Sequence, residues 1–169
     1  MTFGEKSVII ESYANIMNFC LLAMTEHLTV SEDIIMIRKE LEATAENLNV
    51  INAMIDEQLE AADCPMKTQM QIDLAVEEIF VNIVLYAYAP DTGTAAVSFD
   101  ITEDRVARII FEDSGVPYDP LAKEDPDVTL SANERQIGGL GIFMVKKTMD
   151  SVSYEYSEGK NILTLEKRL

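Results

Sequence analysis

Two polar residues one helical turn apart are the first candidates for chemistry in this sequence. Glu78 and Asn82 stand at positions i and i+4 of a long helical pattern, which places them on one face of the helix. A carboxylate there can accept a proton from an attacking hydroxyl, and a carboxamide oxygen can complete a magnesium shell. Glu77 lies about 140° around the helix from Asn82 and is expected to be a solvated charge. The same spacing is common on helices without any function.

A second candidate is the carboxylate of Asp113, which ends a strongly apolar strand pattern and precedes Ser114 and Gly115. It can accept a hydrogen bond from the amino group of adenine, whereas guanine presents an acceptor at that position. Gly115 would let the backbone approach a base closely. The alternative is a plain turn after a strand, because Asp, Ser and Gly all favour turns.

The third candidate is a glycine-rich segment formed by Gly138, Gly139 and Gly141, directly before a short helical pattern. Glycines permit a tight turn, and the free N–H groups of a helix N-terminus favour phosphate. The segment is neither a dinucleotide fingerprint nor a Walker loop, because G-x-G-x-x-G is incomplete and no Gly-Lys-Ser/Thr follows. A glycine hinge is the alternative. Together the three motifs predict an ATP site.

The elements that must position these motifs follow from the hydrophobic periodicity. Strands are predicted at 37–43, 95–102 and 106–111, with a final hairpin turned by Glu158 and Gly159. Helices are predicted at about 44–62, 65–87 and 142–149, and the segment 116–137 reads as a long loop that acts as a lid. The predicted fold is α/β (α+β), a two-layer sandwich in which helices cover one face of a mostly antiparallel, mixed sheet.

Composition narrows the class of protein. The chain has 169 residues, 48% of them hydrophobic, which suits a globular domain. Thirty acidic and 13 basic residues give a formal charge of -17, which argues against direct binding of nucleic acid. This charge fits either a basic protein partner or simple solubility. Two cysteines, the lack of a membrane-spanning apolar stretch and the lack of a signal-peptide pattern together predict a cytoplasmic protein.

The chain is predicted to divide into a helical extension at 1–34 and a domain at 35–169. The extension carries many apolar residues at helical spacing, which are too many to leave in water. It is expected to pack on the domain or on a second copy of the chain. His27 is not in a phosphoacceptor motif and is expected to be a surface or capping residue.

The order E-x-x-x-N, D-x-G, lid and G-G-x-G resembles the Bergerat-fold (GHKL) ATPases, and most closely the bacterial anti-sigma factor serine/threonine-protein kinases. The resemblance covers about residues 37–169 and includes the segments 135–142 and 161–165. It implies that Glu78 is the general base and Asn82 the magnesium ligand. It further implies a set of ATP-binding residues: Asn82, Asp113, Gly115, Arg135, Gly138, Gly139, Gly141 and Thr164. For Arg135, an ordinary surface arginine is the alternative.

The resemblance implies a serine kinase that uses ATP and Mg²⁺, binds a sigma factor, phosphorylates an anti-anti-sigma protein and forms a homodimer. Two alternatives belong to other classes. One is a nucleotide-gated binding protein with little catalysis. The other is a catalytic domain related to histidine kinases, which the lack of a phosphoacceptor module weakens.

Overall fold

The computed structural model describes residues 36–122, 126 and 140–169. Within these ranges the chain forms five β-strands and three α-helices. A 3-10 turn (Ala45–Asn47) precedes the first helix, and a π-helical turn (Ile83–Ala87) continues the second. In chain order the elements are β1 (Ile37–Glu42), α1 (Leu48–Ala61), α2 (Met66–Asn82), β2 (Thr94–Ile101), β3 (Val106–Asp113), α3 (Leu140–Thr148), β4 (Ser151–Ser157) and β5 (Lys160–Arg168).

The five strands form one sheet in the order β1–β2–β3–β5–β4. The predicted two-layer fold is confirmed, and the sheet is more regular than predicted, because each pair of neighbouring strands is antiparallel rather than mixed. Two tight turns join β2 to β3 and β4 to β5. In the second turn Glu158 and Gly159 adopt φ of 53° and 79°, the left-handed conformations that a two-residue hairpin requires.

The core lies between one sheet face and the helices. Alternate residues of β3 are buried, so that Ile109 and Phe111 point toward the helices while their neighbours point away. Helix α1 buries Ile51, Ile55 and Leu59, which recur every fourth residue. Phe80 of α2 is fully buried with them. Each such side chain contributes about 1.5–3 kcal/mol of burial free energy.

The opposite face of the sheet carries charged pairs. Arg108 of β3 contacts the buried carboxylate of Asp100 on β2 at 2.6 Å. Arg38 of β1 reaches across β2 to the carboxylate of Glu112, which Lys160 of β5 also approaches at 3.3 Å. The two faces of the sheet therefore differ in chemistry: one is an apolar core, and the other is a polar surface that links non-adjacent strands.

Several predicted features lie outside the described residues. They are the helical extension at 1–34, His27, Cys20 and most of the loop at 116–137, so these remain predictions. Cys64 is a free thiol. Among the helices that the structure describes, none has both the length and the apolar character needed to cross a membrane.

Candidate functional site

The last turn of α2 brings Glu78 and Asn82 together. The amide nitrogen of Asn82 donates to Glu78 Oε1 at 2.8 Å and to the Glu78 carbonyl oxygen at 2.6 Å. Because the NH₂ end of the carboxamide faces Glu78, its oxygen Oδ1 points away, and no donor among the described residues reaches it. Glu77 is exposed, as expected. The spacing thus gives a half-buried carboxylate and a carboxamide oxygen on one helix face.

Helix α3 packs against this pair through Gly141. A Cβ added at Gly141 would overlap the carboxylate of Glu78. The glycine therefore leaves space for the Glu78 carboxylate in its present position, and a larger residue there would displace that carboxylate. The structure brings Glu78, Asn82 and Gly141 into one place, where α3 begins.

The π-helical turn after Asn82 contacts the segment that follows β3. π-Turns within helices occur frequently at functional sites, since the extra residue re-aims the backbone. Here the carbonyl oxygen of Ala87 accepts the N–H of Val116 at 2.8 Å. A Cβ added at Gly115 would overlap that same carbonyl group. Gly115 was predicted to line a base pocket. In the part of the chain that the structure describes, it packs against Ala87.

Asp113 lies at the end of β3 with 8% of its surface exposed. Its Oδ1 accepts the Gly115 N–H at 2.9 Å and the Asn161 amide at 2.8 Å. Among the described residues no donor reaches Oδ2 of this carboxylate. One oxygen is therefore held by the protein, and the other remains as an acceptor at the end of β3, the central strand of the sheet.

Tyr88 fixes the segment that follows Asp113. Its hydroxyl accepts the N–H of Ser114 at 2.8 Å and donates to the carbonyl oxygen of Thr94 at 2.6 Å. Burial raises the pKa of Tyr88, with the nearby carboxylates of Asp113 and Glu40 adding to the effect, although the Ser114 N–H lowers it. The phenol stays protonated at neutral pH and keeps its donor role. Sequence reasoning missed this residue, because nothing local links Tyr88 to β2.

Thr164 is not brought to the other candidates. In β5 the buried residues Asn161, Leu163 and Leu165 alternate with Thr164, which therefore points to the opposite, polar face of the sheet. The β5 residue directly opposite Asp113 is Asn161. We therefore replace Thr164 by Asn161 among the candidate site residues. Three further predicted residues, Arg135, Gly138 and Gly139, lie outside the described part of the chain.

The described residues contain no cluster of three or more His, Cys, Asp or Glu side chains that could hold a metal ion. A cation near Asn82 would therefore take most of its ligands from a bound phosphate and from water. This donor set suits Mg²⁺, which usually keeps several waters and binds through few protein ligands.

A five-stranded antiparallel sheet covered by helices, with an E-x-x-x-N helix against a glycine-led helix, defines an ATPase-like domain. The sequence profile of the histidine kinase-like ATPase domain matches residues 41–167. Since this range is most of the chain, the chain belongs to that family. The resemblance to Bergerat-fold ATPases is confirmed.

The curated relatives of this chain include serine-protein kinases. The serine-protein kinase RsbW of Bacillus cereus (strain AH187) is 32% identical over 94 residues, and that of Bacillus anthracis is 31% identical over the same length. These stretches are 53% of this chain and 58% of each relative. The match thus spans little more than half the length of the curated relatives.

Solved structures share the fold at low identity. The RsbU and RsbW domains of Rv1364c from Mycobacterium tuberculosis match with a TM-score of 0.57 and 19% identity, over 80% of this chain and 32% of that one. A chain of the SiaB-SiaC complex from Pseudomonas aeruginosa matches with a TM-score of 0.52 and 17% identity, over 87% of this chain and 96% of that one.

Proposed function

We propose that this protein is an ATP-dependent protein serine kinase. The observation that carries the proposal is the hydrogen-bonded pair of Glu78 and Asn82, which lies against Gly141 where α3 begins. The pair offers a proton acceptor and a cation ligand side by side. The similarity to RsbW serine-protein kinases supports the same reaction class.

In the proposed reaction, Glu78 accepts the proton of the substrate serine. The serine oxygen forms a bond to the γ-phosphorus of ATP, and the bond from that phosphorus to the β–γ bridging oxygen breaks to release ADP. Asn82 holds Glu78 Oε1 at 2.8 Å and so orients the carboxylate. Such phosphoryl transfer depends on positioning and on charge stabilisation rather than on covalent chemistry by the protein.

We assign Mg²⁺ to the carboxamide oxygen of Asn82. When bound, the ion would neutralise phosphate charge. Gly141 is proposed to approach the neighbouring phosphates, because the N-terminal end of a helix presents free N–H groups to an anion. By their place in the motif, Gly138, Gly139 and Arg135 are proposed to contribute to the same phosphate site.

We assign adenine recognition to the Oδ2 atom of Asp113, which accepts from the exocyclic amino group. Guanine would place an oxygen there, and two facing acceptors would leave a buried polar group unmatched. This costs on the order of 1–3 kcal/mol, so ADP should bind in preference to GDP.

The proposed partners follow from the resemblance to anti-sigma factor kinases. The protein would bind a sigma factor, phosphorylate a serine of an anti-anti-sigma protein and act as a cytoplasmic homodimer. Its charge of -17 disfavours contact with nucleic acid, which fits a role exerted through other proteins.

The decisive experiment is phosphate transfer from labelled ATP to candidate serine-bearing proteins of the same genome. Glu78→Gln should retain nucleotide binding and lose roughly 10²–10⁴ in transfer rate, because the amide cannot take a proton. Asn82→Ala should instead weaken the magnesium-dependent part of nucleotide binding. Glu77→Gln is the matched control, since this neighbouring carboxylate is exposed and lies off the proposed site.

A normal transfer rate in Glu78→Gln would remove the base assignment. If the unaltered protein bound nucleotide and partner without transferring phosphate, the nucleotide-gated binding protein would be the better interpretation. Transfer to a histidine would favour the alternative related to histidine kinases.

A further inference from the structure

Asn161 forms a four-bond junction beside the carboxylate of Asp113. Its amide nitrogen donates to Asp113 Oδ1 at 2.8 Å and to the carbonyl oxygen of Val116 at 3.2 Å. Its amide oxygen accepts the Tyr118 N–H at 3.1 Å and the Tyr154 hydroxyl at 2.7 Å. A carboxamide has two N–H donors and two acceptor lone pairs. All four are therefore used.

This saturation fixes the orientation of the amide. Asn161 is 7% exposed and lies directly opposite Asp113 in the β3–β5 register. Turning the amide over would place its oxygen against the carboxylate and its NH₂ group against the Tyr118 N–H. Both contacts would be repulsive inside a buried site, where unmet polar groups are costly. The four partners thus hold the amide in a single orientation.

The fixed amide in turn fixes the carboxylate. Asp113 Oδ1 is held from two directions, by Asn161 and by the backbone N–H of Gly115. A carboxylate held by two donors on one oxygen cannot rotate without breaking both bonds. Its other oxygen, Oδ2, is consequently presented at a defined position.

The same amide also holds the chain that leaves β3. Its bonds to the Val116 carbonyl group and the Tyr118 N–H tie residues 116–118 to β5. These residues follow Gly115, which packs on Ala87 at the end of the π-helical turn. The Asn161 side chain therefore holds both the Asp113 carboxylate and the backbone of residues 116–118.

We propose that Asn161 is the positioning residue that sets the base selectivity of this site, because it holds Asp113 Oδ2 toward the amino group of the purine. The inference rests on the proposed function, in which Asp113 reads adenine. Asn161 acts through Asp113 and has no contact with the reacting phosphate in this assignment.

The test compares ADP with inosine diphosphate, which has an oxygen in place of the amino group. Their dissociation constants are measured by titration calorimetry for the full chain and for Asn161→Asp and Asn161→Ala. Asn161→Asp has nearly the same shape and keeps the acceptors for Tyr118 and Tyr154, but it loses both donors. In either variant the preference for ADP should fall about tenfold or more, through weaker ADP binding with little change for inosine diphosphate.

Tyr156→Phe is the matched control. Tyr156 is exposed, lies opposite Asn161 on β4 and takes no part in the junction. It should keep the ADP preference of the unaltered protein. Thermal melting of each variant shows whether the fold is intact. If Asn161→Ala does not fold, the comparison is made with the isosteric Asn161→Asp alone.

The outcomes separate the two proposals. If the unaltered protein binds both nucleotides equally, the adenine role of Asp113 fails, and the role of Asn161 fails with it. If the unaltered protein prefers ADP and the Asn161 variants keep that preference, Asn161 has no selectivity role and the kinase proposal stands. An equal loss for both nucleotides, in step with a lower melting temperature, would also overturn the selectivity role, because Asn161 would then be purely structural.

Discussion

Gly141 illustrates how a single missing side chain can define a site. A Cβ at this position would overlap the Glu78 carboxylate, so the role of the glycine depends on close approach and not on backbone flexibility. The sequence motif singled out this glycine for phosphate binding. The structure adds a second reason for it, which is contact with the proposed base.

We expect Gly141→Ala to lower phosphoryl transfer by roughly 10²-fold, since displacing a catalytic group by about 1 Å has that effect. The added methyl group would push the Glu78 carboxylate away from Asn82. Rates of transfer from labelled ATP, measured with saturating nucleotide, check this. Lys147→Ala, in the last turn of the same helix, is the control. Unchanged turnover in Gly141→Ala would show that Glu78 can move without consequence.

Residue roles were only partly accessible from the sequence. The pairing of Glu78 with Asn82 is local, because helix geometry alone brings positions i and i+4 together. The partner of Asp113 is distant in sequence, because the register between β3 and β5 determines which residue of β5 lies opposite Asp113. Thr164 was predicted from the family resemblance, and its strand position places it on the face of the sheet opposite to that of Asn161.

At the scale of elements, the contact between α1 and α2 contains a pair of carboxyl groups. Asp56 of α1 accepts the Gln69 amide at 2.7 Å, and Asp73 of α2 lies within hydrogen-bonding reach of Asp56. Burial and the neighbouring Asp56 together raise the pKa of Asp73 from 3.8 to about 6. Two like charges placed between packed helices oppose that packing.

This pair should make stability fall as pH rises from about 4 to above 6. Over that range the folded state binds more protons than the unfolded state, so the free energy of unfolding decreases with pH. Asp73→Asn should flatten this dependence and stabilise the protein at pH 7.5 by about 1 kcal/mol, after allowance for solvent screening. Urea unfolding at pH 5 and 7.5 measures both effects.

Glu57→Gln serves as the control for net charge, because Glu57 is an exposed residue of α1. A variant Asp73→Asn that unfolds with the same pH dependence as the unaltered protein would mean that the two carboxyl groups do not share a proton.

The elements themselves were largely predictable. Periodicity located the described strands and helices, and the Glu158–Gly159 turn marked the last hairpin because its second residue tolerates positive φ. The π-helical turn at 83–87 was read as ordinary helix. Its side-chain pattern is too short to distinguish the two, and the contact between Ala87 and Val116 that accompanies it is made across the fold.

At the scale of the whole molecule, the proposed homodimer depends on residues 1–34. Their apolar content predicts burial against the domain or against a second copy of the chain. We expect the full chain to be a dimer and a chain that starts near Ser31 to lose that association. Light scattering on the full chain and on the shortened chain measures their association, and circular dichroism confirms that each is folded. The result decides whether residues 1–34 pack on their own domain or on a second copy of the chain. If both are folded monomers, the extension has no role in assembly.

The π-helical turn also has a consequence for how this protein can change over generations. Ala87 meets Gly115 and Val116 at the end of the π-helical turn Ile83–Ala87, in which each hydrogen bond spans one residue more than in an α-helix. Deleting one residue would restore α-helical winding and rotate Ala87 by about 100° around the axis. Leu85 and Tyr86, in contrast, are exposed. The length of this segment is therefore more constrained than its side chains, and divergence there would proceed by substitution rather than by insertion or deletion.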